Sequence, residues 1–193
     1  MNSNVIFEGG MSSQDCDYII KESEKLLDIK ESVVGETDSE LISTTRKSKA
    51  GFIESYNPKH RELWDVISNR LWSYVNAANR TNFAFDVSFL DSVQYTIYED
   101  GGDHYDWHMD TFINTPNAYT RKLSLTLQLS DGSEYEGGNF ELNDGTGQGL
   151  PYDALRKKGS VLIFPSFLMH RVTPVTSGIR KTIVAWFEGR QFK

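Results

Sequence analysis

The sequence predicts a mainly β protein, in which helices precede a sandwich or barrel of short strands. Apolar residues recur at helical spacing before Arg80 and at every second position after it, and these two periods distinguish amphipathic helices from half-buried strands. Turn-forming pairs such as Gly101-Gly102 and Asp131-Gly132 divide the second part into segments of strand length. Helices followed by many short strands are typical of a β-sandwich or barrel with the helices packed outside.

Two helices are predicted in the first part of the chain. Ser12 followed by Asp15 forms a capping box that starts the first helix. Asn57-Pro58 is expected to open the second helix, since proline suits a first helical turn. The apolar stripes of the two helices consist of Cys16, Ile19, Ile20, Leu26 and Leu27, and of Leu63, Ile67, Leu71, Tyr74, Val75 and Ala78.

Between the predicted helices, residues Glu31 to Ala50 are polar and show no period, which indicates a loop. The wider segment Glu31–Ser55 would form either a lid over a substrate or an exposed loop. It includes the basic run Arg46-Lys47-Ser48-Lys49, for which a solvated loop is expected, as for Arg156-Lys157-Lys158.

Seven strands are predicted after the helices. They are Phe83–Leu90, Ser92–Tyr98, Lys122–Leu129, Asn139–Leu142, Ser160–Phe164, Met169–Thr173 and Ile179–Phe187. In the second and third strands polar and apolar residues alternate, so each has one polar face. These polar faces either meet solvent or line the polar inside of an open barrel.

Composition excludes several classes of protein. A net charge of −7 opposes salt-driven nucleic-acid binding. Cys16 is the only cysteine, which excludes an intrachain disulfide and a thiolate metal cluster, and it is predicted to be buried. The chain lacks a signal-peptide pattern and a membrane-spanning apolar run. One domain of 193 residues in the cytoplasm, without a nucleic-acid or membrane partner, is therefore expected.

Two overlapping His-x-Asp pairs, His104/Asp106 and His108/Asp110, make up the densest chemical motif. Residues i and i+2 of a strand point to the same side, so an imidazole and a carboxylate can converge on one ion. Two nitrogens and one carboxylate leave three metal positions open, as in non-heme iron(II) oxygenases. The third ligand must then be His60 or His170.

Arg180 follows His170 on what is predicted to be the second arm of a hairpin with a Ser177-Gly178 turn. A guanidinium holds a carboxylate through two parallel hydrogen bonds, which lysine cannot do. A basic residue beside a metal with open positions suits a dicarboxylate co-substrate that chelates the metal at its other end.

The segment from Gln94 to Phe187 resembles the 2-oxoglutarate- and iron(II)-dependent oxygenase superfamily, in its prolyl 4-hydroxylase-like branch. The resemblance rests on a His-x-Asp pair, a distal histidine, a basic residue ten positions later, and tyrosines ten and three residues before the first histidine. In this chain these are His108, Asp110, His170, Arg180, Tyr98 and Tyr105. The pair His104/Asp106 then belongs to a loop or to the rim of the site.

The resemblance implies a double-stranded β-helix, or jelly roll, with the N-terminal helices packed on its outside. Residues 1–80 would support the fold and residues 81–193 would form the catalytic core. It also implies that His108, Asp110 and His170 bind Fe(II). Arg180, Tyr98 and Gln128 would bind 2-oxoglutarate, O2 would be consumed, and ascorbate would act as a reductant. Trp186 is expected to pack beside Arg180 without reacting.

The reaction implied by this branch is hydroxylation of a C–H bond, chiefly of a prolyl residue in a peptide or protein, with release of succinate and CO2. A free amino acid or another small molecule is the alternative substrate. A cupin-like metal protein would not need Arg180, and a binding module would not need the metal ligands. Nucleic-acid demethylases of the superfamily place their arginine farther from the distal histidine. The oligomeric state is left open.

Overall fold

The computed structural model of the protein describes residues 3–32, 45–111, 118–143, 145, 149–151 and 153–192. Helix α1 comprises Ser13–Leu26 and helix α2 comprises Arg61–Ala78, which continues into a π-helical turn at Asn79–Phe83. A short 3-10 helix follows at Asp153–Arg156. Within this part of the chain, no helix is both long and apolar enough to cross a membrane.

In the described residues, thirteen strands form two antiparallel sheets that face each other. They are β1 Val5–Phe7, β2 Lys30–Glu31, β3 Arg46–Lys47, β4 Lys49–Ile53, β5 Phe89–Glu99, β6 His104–His108, β7 Tyr119–Gln128, β8 Tyr135–Gly137, β9 Phe140–Asn143, β10 Gly149–Pro151, β11 Val161–Pro165, β12 His170–Val172 and β13 Val175–Arg190. The major sheet has the order β1-β11-β7-β13-β5-β4-β2, with β8 attached to β13. The minor sheet has the order β10-β9-β12-β6-β3. The predicted mainly β fold class is confirmed.

The helices pack on the outer face of the major sheet and form its apolar core. Ser12 accepts a hydrogen bond from the backbone nitrogen of Asp15, which confirms the predicted cap of α1. The buried stripe of α2 matches the prediction, except that Tyr74 is only half-buried. The sheet contributes Val93, Tyr95, Ile97, Leu123, Leu125, Leu127, Ile183, Ala185 and Phe187 to this core.

The polar faces of β5 and β7 are buried as well, and Gln94, Tyr98 and Thr126 line a cavity between the two sheets. Of the two interpretations of these faces, the structure supports the inside of the barrel. Polar side chains in such a position require partners or a ligand, because burial removes the hydrogen bonds of water.

The second helix begins at Arg61, later than predicted. The side-chain oxygen of Asn57 accepts a hydrogen bond from the backbone of Lys59 at 3.1 Å, and its carbonyl oxygen accepts one from His60 at 3.0 Å. These bonds close a turn around Pro58 before the helix starts, so proline here precedes the helix instead of opening it.

The predicted strand Phe83–Leu90 is wrong for most of its length. The helix continues as a π-turn to Phe83, and Ala84 then adopts a left-handed conformation with φ of 53°. The side chain of Asn79 fixes the exit from this turn, because it both donates to and accepts from the backbone of Phe85, each at 2.9 Å. Strand β5 begins only at Phe89.

The prediction of a loop between the helices is also wrong in part, because β2, β3 and β4 lie in it. Strand β3 pairs with β6 of the minor sheet, and β4 pairs with β5 of the major sheet. Lys47 pairs with Asp103 at 3.2 Å and Lys49 with Glu99 at 2.7 Å, so these lysines link elements of the fold. Residues 33–44, the rest of the possible lid, lie outside the described residues.

The predicted hairpin between His170 and Arg180 is not formed. Strand β12 belongs to the minor sheet and β13 to the major sheet, so the chain crosses between sheets near Pro174. Ser177 and Gly178 lie within β13 and pair with β8. Gly178 has φ of 75°, and a Cβ atom there would lie 2.1 Å from the carbonyl oxygen of Glu134. The glycine of the Ser-Gly pair therefore allows a close approach of the neighbouring backbone and does not form a hairpin turn.

Candidate active site

Three predicted metal ligands meet at the end of the minor sheet. His108 is the last residue of β6, and His170, the first of β12, lies directly opposite it in the register. The Nε2 atom of His108 is 3.8 Å from one carboxylate oxygen of Asp110, and Nε2 of His170 is 3.5 Å from the other. The metal-binding atoms of these three side chains all lie within 4.8 Å of one another. This donor set fits an iron(II) ion with open positions.

Backbone carbonyls orient both imidazole rings. Nδ1 of His108 lies 2.7 Å from the carbonyl oxygen of Asp106, and Nδ1 of His170 lies 2.9 Å from that of Leu168. When Nδ1 donates its proton to these oxygens, Nε2 carries the free lone pair and faces Asp110. The tautomer that a metal requires is therefore the one that the backbone selects.

The carboxylate of Asp110 is held by two serines. The hydroxyl of Ser124 donates to Asp110 at 2.6 Å, and Ser166 Oγ lies 2.9 Å from Ser124 Oγ. The backbone nitrogen of Asp110 donates to the carbonyl oxygen of Ser166 at 2.9 Å. Burial by itself would raise the pKa of Asp110, but His170, His108 and the Ser124 hydroxyl together hold it below its ordinary value. Asp110 is thus ionised and ready to bind a cation.

His108 is kept neutral by its surroundings. Burial first, and then the neighbouring imidazole of His170, lower the pKa of His108 to about 3. The ring of Tyr105 stacks on the His108 imidazole with the ring centres 3.4 Å apart, and the guanidinium of Arg46 lies 4.7 Å from the centre of the Tyr105 ring. A neutral, stacked imidazole is a suitable metal ligand throughout the physiological pH range.

The triad opens into a cavity between the two sheets. Tyr98 and Arg180, both predicted to bind the co-substrate, line this cavity. Gln128 does not: its amide nitrogen donates to the carbonyl oxygen of Ser130 at 3.0 Å and to the hydroxyl of Tyr135 at 3.1 Å. The structure therefore brings five of the six predicted site residues to one cavity and leaves Gln128 outside its lining.

Arg180 is a buried cation, with only 3% of its surface exposed. It lies opposite Tyr98 in the register of β13 and β5, and its guanidinium carbon is 5.5 Å from the centre of the Tyr98 ring. Within the described part of the chain, no carboxylate forms an ion pair with it. An unpaired buried cation is unfavourable unless an anion binds there, so Arg180 fits the distal carboxylate of 2-oxoglutarate.

Sequence reasoning missed Arg46 as a cavity residue, because its basic run indicated a solvated loop. Trp186 also lines the cavity, and its buried indole group lies near enough to Asp110 to help lower the pKa of that carboxylate. The guanidinium of Arg121 stacks 4.1 Å from the Trp186 ring. The sequence signal that places Trp186 in the cavity is the alternation of β13. Arg180, Thr182 and Trp186 are separated by even numbers of residues and therefore share one face of the strand.

The remaining histidines take no part in the cavity lining. Nδ1 of His104 lies 2.8 Å from the carbonyl oxygen of Gly102, and the Asp106 side chain accepts from the backbone of Trp107 at 2.7 Å. His60 accepts a hydrogen bond from the backbone of Glu54 at 3.2 Å, next to the start of α2. His104 and Asp106 thus lie in strand β6, and not in a loop, and they contact neighbouring backbone groups outside the cavity lining.

Two facing sheets, a His-Asp-His triad and a buried arginine in one cavity define the class of non-heme iron oxygenases. The family model of the 2OG-Fe(II) oxygenase superfamily matches residues 93–188. A PKHD-type hydroxylase of Shewanella oneidensis is 30% identical over 167 residues, which are 84% of this chain and 69% of that protein. The chain belongs to the 2OG-Fe(II) oxygenase superfamily, and its cofactors are Fe(II), 2-oxoglutarate and O2.

A shorter match has higher identity. A PKHD-type hydroxylase of Synechococcus is 43% identical over 94 residues, which are 47% of this chain but only 38% of that protein. The chain thus spans well under half of this relative and about two thirds of the Shewanella protein. The activity and substrates of these longer relatives are therefore not assigned to this chain from similarity alone.

Solved structures confirm the predicted jelly-roll fold. A prolyl hydroxylase from Trichoplax adhaerens, in complex with a peptide fragment of the hypoxia inducible factor oxygen degradation domain, has a TM-score of 0.76 at 17% identity over 97% of this chain and 84% of that chain. The viral collagen prolyl hydroxylase of Paramecium Bursaria Chlorella virus-1 has a TM-score of 0.70 at 20% identity, covering 97% of both chains. At these identities the likeness is one of fold.

Proposed function

We propose that this chain is a 2-oxoglutarate-dependent hydroxylase in which His108, Asp110 and His170 hold Fe(II) and Arg180, with Tyr98, binds the distal carboxylate of 2-oxoglutarate. The observation that carries the proposal is the buried, unpaired Arg180 in the same cavity as the triad. A jelly-roll metal protein without this co-substrate would have no use for a buried cation there.

When bound, the iron centre with 2-oxoglutarate and O2 supplies the oxidising chemistry, in which a substrate C–H bond gains one oxygen atom and succinate and CO2 are released. The protein contributes binding and orientation. His108, His170 and the ionised Asp110 would hold the metal together and leave positions open for the co-substrate and O2. Phe140, Phe164 and Val172 give the cavity apolar walls that exclude water around the reacting bond.

The proposed substrate is a prolyl residue in a peptide or protein. Support comes from the relatives, which are named hydroxylases, and from the Trichoplax enzyme, whose structure contains a bound peptide. Incubation of the iron-loaded protein with 2-oxoglutarate and a library of proline-containing peptides, followed by mass spectrometry, should detect peptides with one added oxygen atom. Oxygen addition to free amino acids but to none of the peptides would instead assign a small-molecule substrate. Ascorbate, as a reductant, is expected to increase the yield.

Anaerobic titration of the metal-free protein tests the site. Fe(II) followed by 2-oxoglutarate should produce a metal-to-ligand charge-transfer absorption in the visible range in the wild type. His170→Ala should lose the absorption because iron binding fails. Arg180→Ala should keep iron and require at least about tenfold more 2-oxoglutarate, since a charged hydrogen-bonded contact is worth about 1.5–3 kcal/mol.

Two results would contradict the proposal. Iron binding without the absorption in the wild type would favour a metal protein that does not use 2-oxoglutarate. Unchanged co-substrate affinity in Arg180→Ala would remove Arg180 from the site. Lys181→Ala is the matched control, because Lys181 is the next residue of β13 and its amine pairs with Glu24 at 2.6 Å, on the outer face of the sheet.

A further inference from the structure

Arg156 holds together a segment of the chain that approaches the cavity from outside. One guanidinium nitrogen, Nη1, donates to the carbonyl oxygen of Gly137 and to the side-chain oxygen of Asn139, both at 2.8 Å. The other, Nη2, donates to the carbonyl oxygens of Gly132 at 3.0 Å and Tyr135 at 2.8 Å. All four acceptors are neutral, so the planar fork of arginine, and not an ion pair, makes these contacts.

The same guanidinium lies 4.3 Å from the centre of the Tyr135 ring. Tyr135 is buried, and its hydroxyl accepts the hydrogen bond of the Gln128 amide at 3.1 Å. Residues 132–139, which we term the clamp segment, are therefore fixed to Arg156 through both the backbone and an aromatic ring.

The clamp segment lies against the side chain of Arg180. Strand β8 pairs with the start of β13, and the backbone nitrogen of Gly138 donates to the carbonyl oxygen of Pro174 at 3.0 Å. A Cβ atom at Gly138 would lie 3.1 Å from Cδ of Arg180 and 2.8 Å from Cγ2 of Val175. The absence of a side chain at Gly138 thus lets the segment contact the methylene groups of Arg180 directly.

We infer that Arg156 is a positioning residue for the 2-oxoglutarate site, acting through the clamp segment on Arg180. The inference rests on the proposed function, in which Arg180 binds the distal carboxylate. Arg180 has no ion-pair partner among the described residues, so packing has to define where its guanidinium lies before the co-substrate arrives. Removal of Arg156 leaves four oxygens without their donor and frees the surface against which Arg180 packs.

Loss of Arg156 should affect the 2-oxoglutarate end of the cavity and spare the metal end. The metal ligands are fixed by strand pairing in the minor sheet and by Ser124 and Ser166. Arg156 contacts this sheet through Asn139, the residue before β9, which two hydrogen bonds of 2.9 Å to Thr173 hold independently of Arg156. A change at Arg156 should therefore weaken 2-oxoglutarate binding and leave iron binding intact. This selectivity separates a positioning role from a general loss of structure.

Anaerobic titrations of the full chain with Fe(II), and then of the iron-loaded chain with 2-oxoglutarate, test the inference. Arg156→Ala should raise the Kd of 2-oxoglutarate by about tenfold to a hundredfold, the size of effect that follows loss of a residue supporting a metal ligand. Its iron affinity should stay within about twofold of the wild type, because the metal ligands keep their supports. In turnover, KM for 2-oxoglutarate should rise while kcat at saturating co-substrate is retained.

Two further variants of the basic run sharpen the result. Arg156→Lys keeps the charge but lacks the fork, so it should recover only a small part of the affinity. Lys157→Ala is the matched control, because it removes the adjacent cation, whose amine pairs with Glu8 at 3.2 Å. It should behave as the wild type.

Gly138→Ala alters the contact between the clamp segment and Arg180 directly, without a change at Arg156. The added methyl group would push against Arg180 and Val175, so a selective loss of 2-oxoglutarate affinity is expected again. Because Gly138 has φ of 58°, the substitution also strains the backbone. The thermal midpoint is therefore measured for each variant, and affinities are compared well below it.

The outcomes separate this inference from the proposed function. Unchanged 2-oxoglutarate affinity in Arg156→Ala, with Arg180→Ala weakened, would overturn the positioning role alone. Parallel losses of iron and 2-oxoglutarate affinity in Arg156→Ala would also overturn it, since they would reveal general loosening. Unchanged affinity in Arg180→Ala would overturn both ideas together.

Discussion

The two faces of the major sheet are buried to a similar degree, yet their side chains differ in kind. On β5 the outer residues Val93, Tyr95 and Ile97 pack in the apolar core with the helices. The inner residues Gln94, Thr96 and Tyr98 are equally shielded from solvent, but face the metal-binding cavity or lie beside it. Alternation along one strand thus separates a surface for packing from a surface for chemistry.

The difference lies in how polar groups on the two faces are satisfied. On the outer side, the hydroxyl of Tyr95 donates to Glu24 at 3.0 Å, and Glu24 also pairs with Lys181. Among the described residues, the helices of this core contain one buried polar side-chain atom without a hydrogen-bond partner, the neutral hydroxyl oxygen of Ser23. The inner face carries Arg180, a buried cation without an ion-pair partner among the described residues. A buried charge without an ion-pair partner, more than burial itself, identifies the ligand site.

The largest effect is expected on the inner side, at the metal. His108→Ala should lower iron affinity by more than about a hundredfold and abolish hydroxylation, since loss of a ligand exceeds the effect of losing a supporting contact. His104→Ala is the matched control from the overlapping motif and should retain iron and activity. Iron affinity measured under anaerobic conditions gives the comparison, and the reverse ranking would show that the other His-x-Asp pair binds the metal.

A smaller effect, on stability and not on ligands, is expected on the outer side. Leu71 of α2 is fully buried in the apolar core, so Leu71→Ala should lower the free energy of unfolding by about 2–5 kcal/mol through lost contacts and a residual cavity. Iron and 2-oxoglutarate affinities of the folded protein should be unchanged. Urea denaturation and the anaerobic titrations measure the two quantities. A fall in iron affinity at temperatures where the variant is folded would mean that the two faces are coupled.

The site was predictable from the sequence because its signal is local. His108 and Asp110 are two residues apart, and Arg180 follows His170 by ten, so short-range spacing carries most of the motif. The same holds for the stripe of α2 and the alternation of β5, which follow from the period of each element. Predictions that depend only on the period of a single helix or strand were therefore correct.

The errors concern pairing between distant parts of the chain. The Ser177-Gly178 pair indicated a hairpin, but these residues lie in a strand whose glycine permits a close approach to Glu134. Strand β3 has two residues, both basic, and β4 has five, and both form because β6 and β5 offer edges to pair with. Gln128 faces inward as alternation required, but it meets Tyr135 before it reaches the cavity. Such partners are not encoded in local periodicity.

The smallest effect is expected at Cys16, on the outer side, where no chemistry is proposed. Burial above all raises the pKa of the Cys16 thiol from 9.0 to about 11. At pH 8 the reactive thiolate is therefore about a hundredfold rarer than for an exposed cysteine. Alkylation of the native protein by iodoacetamide should be correspondingly slow, and should leave hydroxylation activity intact over the time of the experiment.

The pH dependence of the same thiol follows from the direction of its shift. The folded state favours the protonated form, so the thiol's contribution to stability is complete below the unfolded pKa of 9.0 and is lost as the pH rises toward about 11. Cys16→Ala should remove this part of the alkaline destabilisation, as followed by urea denaturation between these pH values. The protein unfolded in urea serves as the labelling control and should react fast. Rapid labelling of the native protein at pH 8 would show that α1 opens readily, so that burial does not protect the outer face.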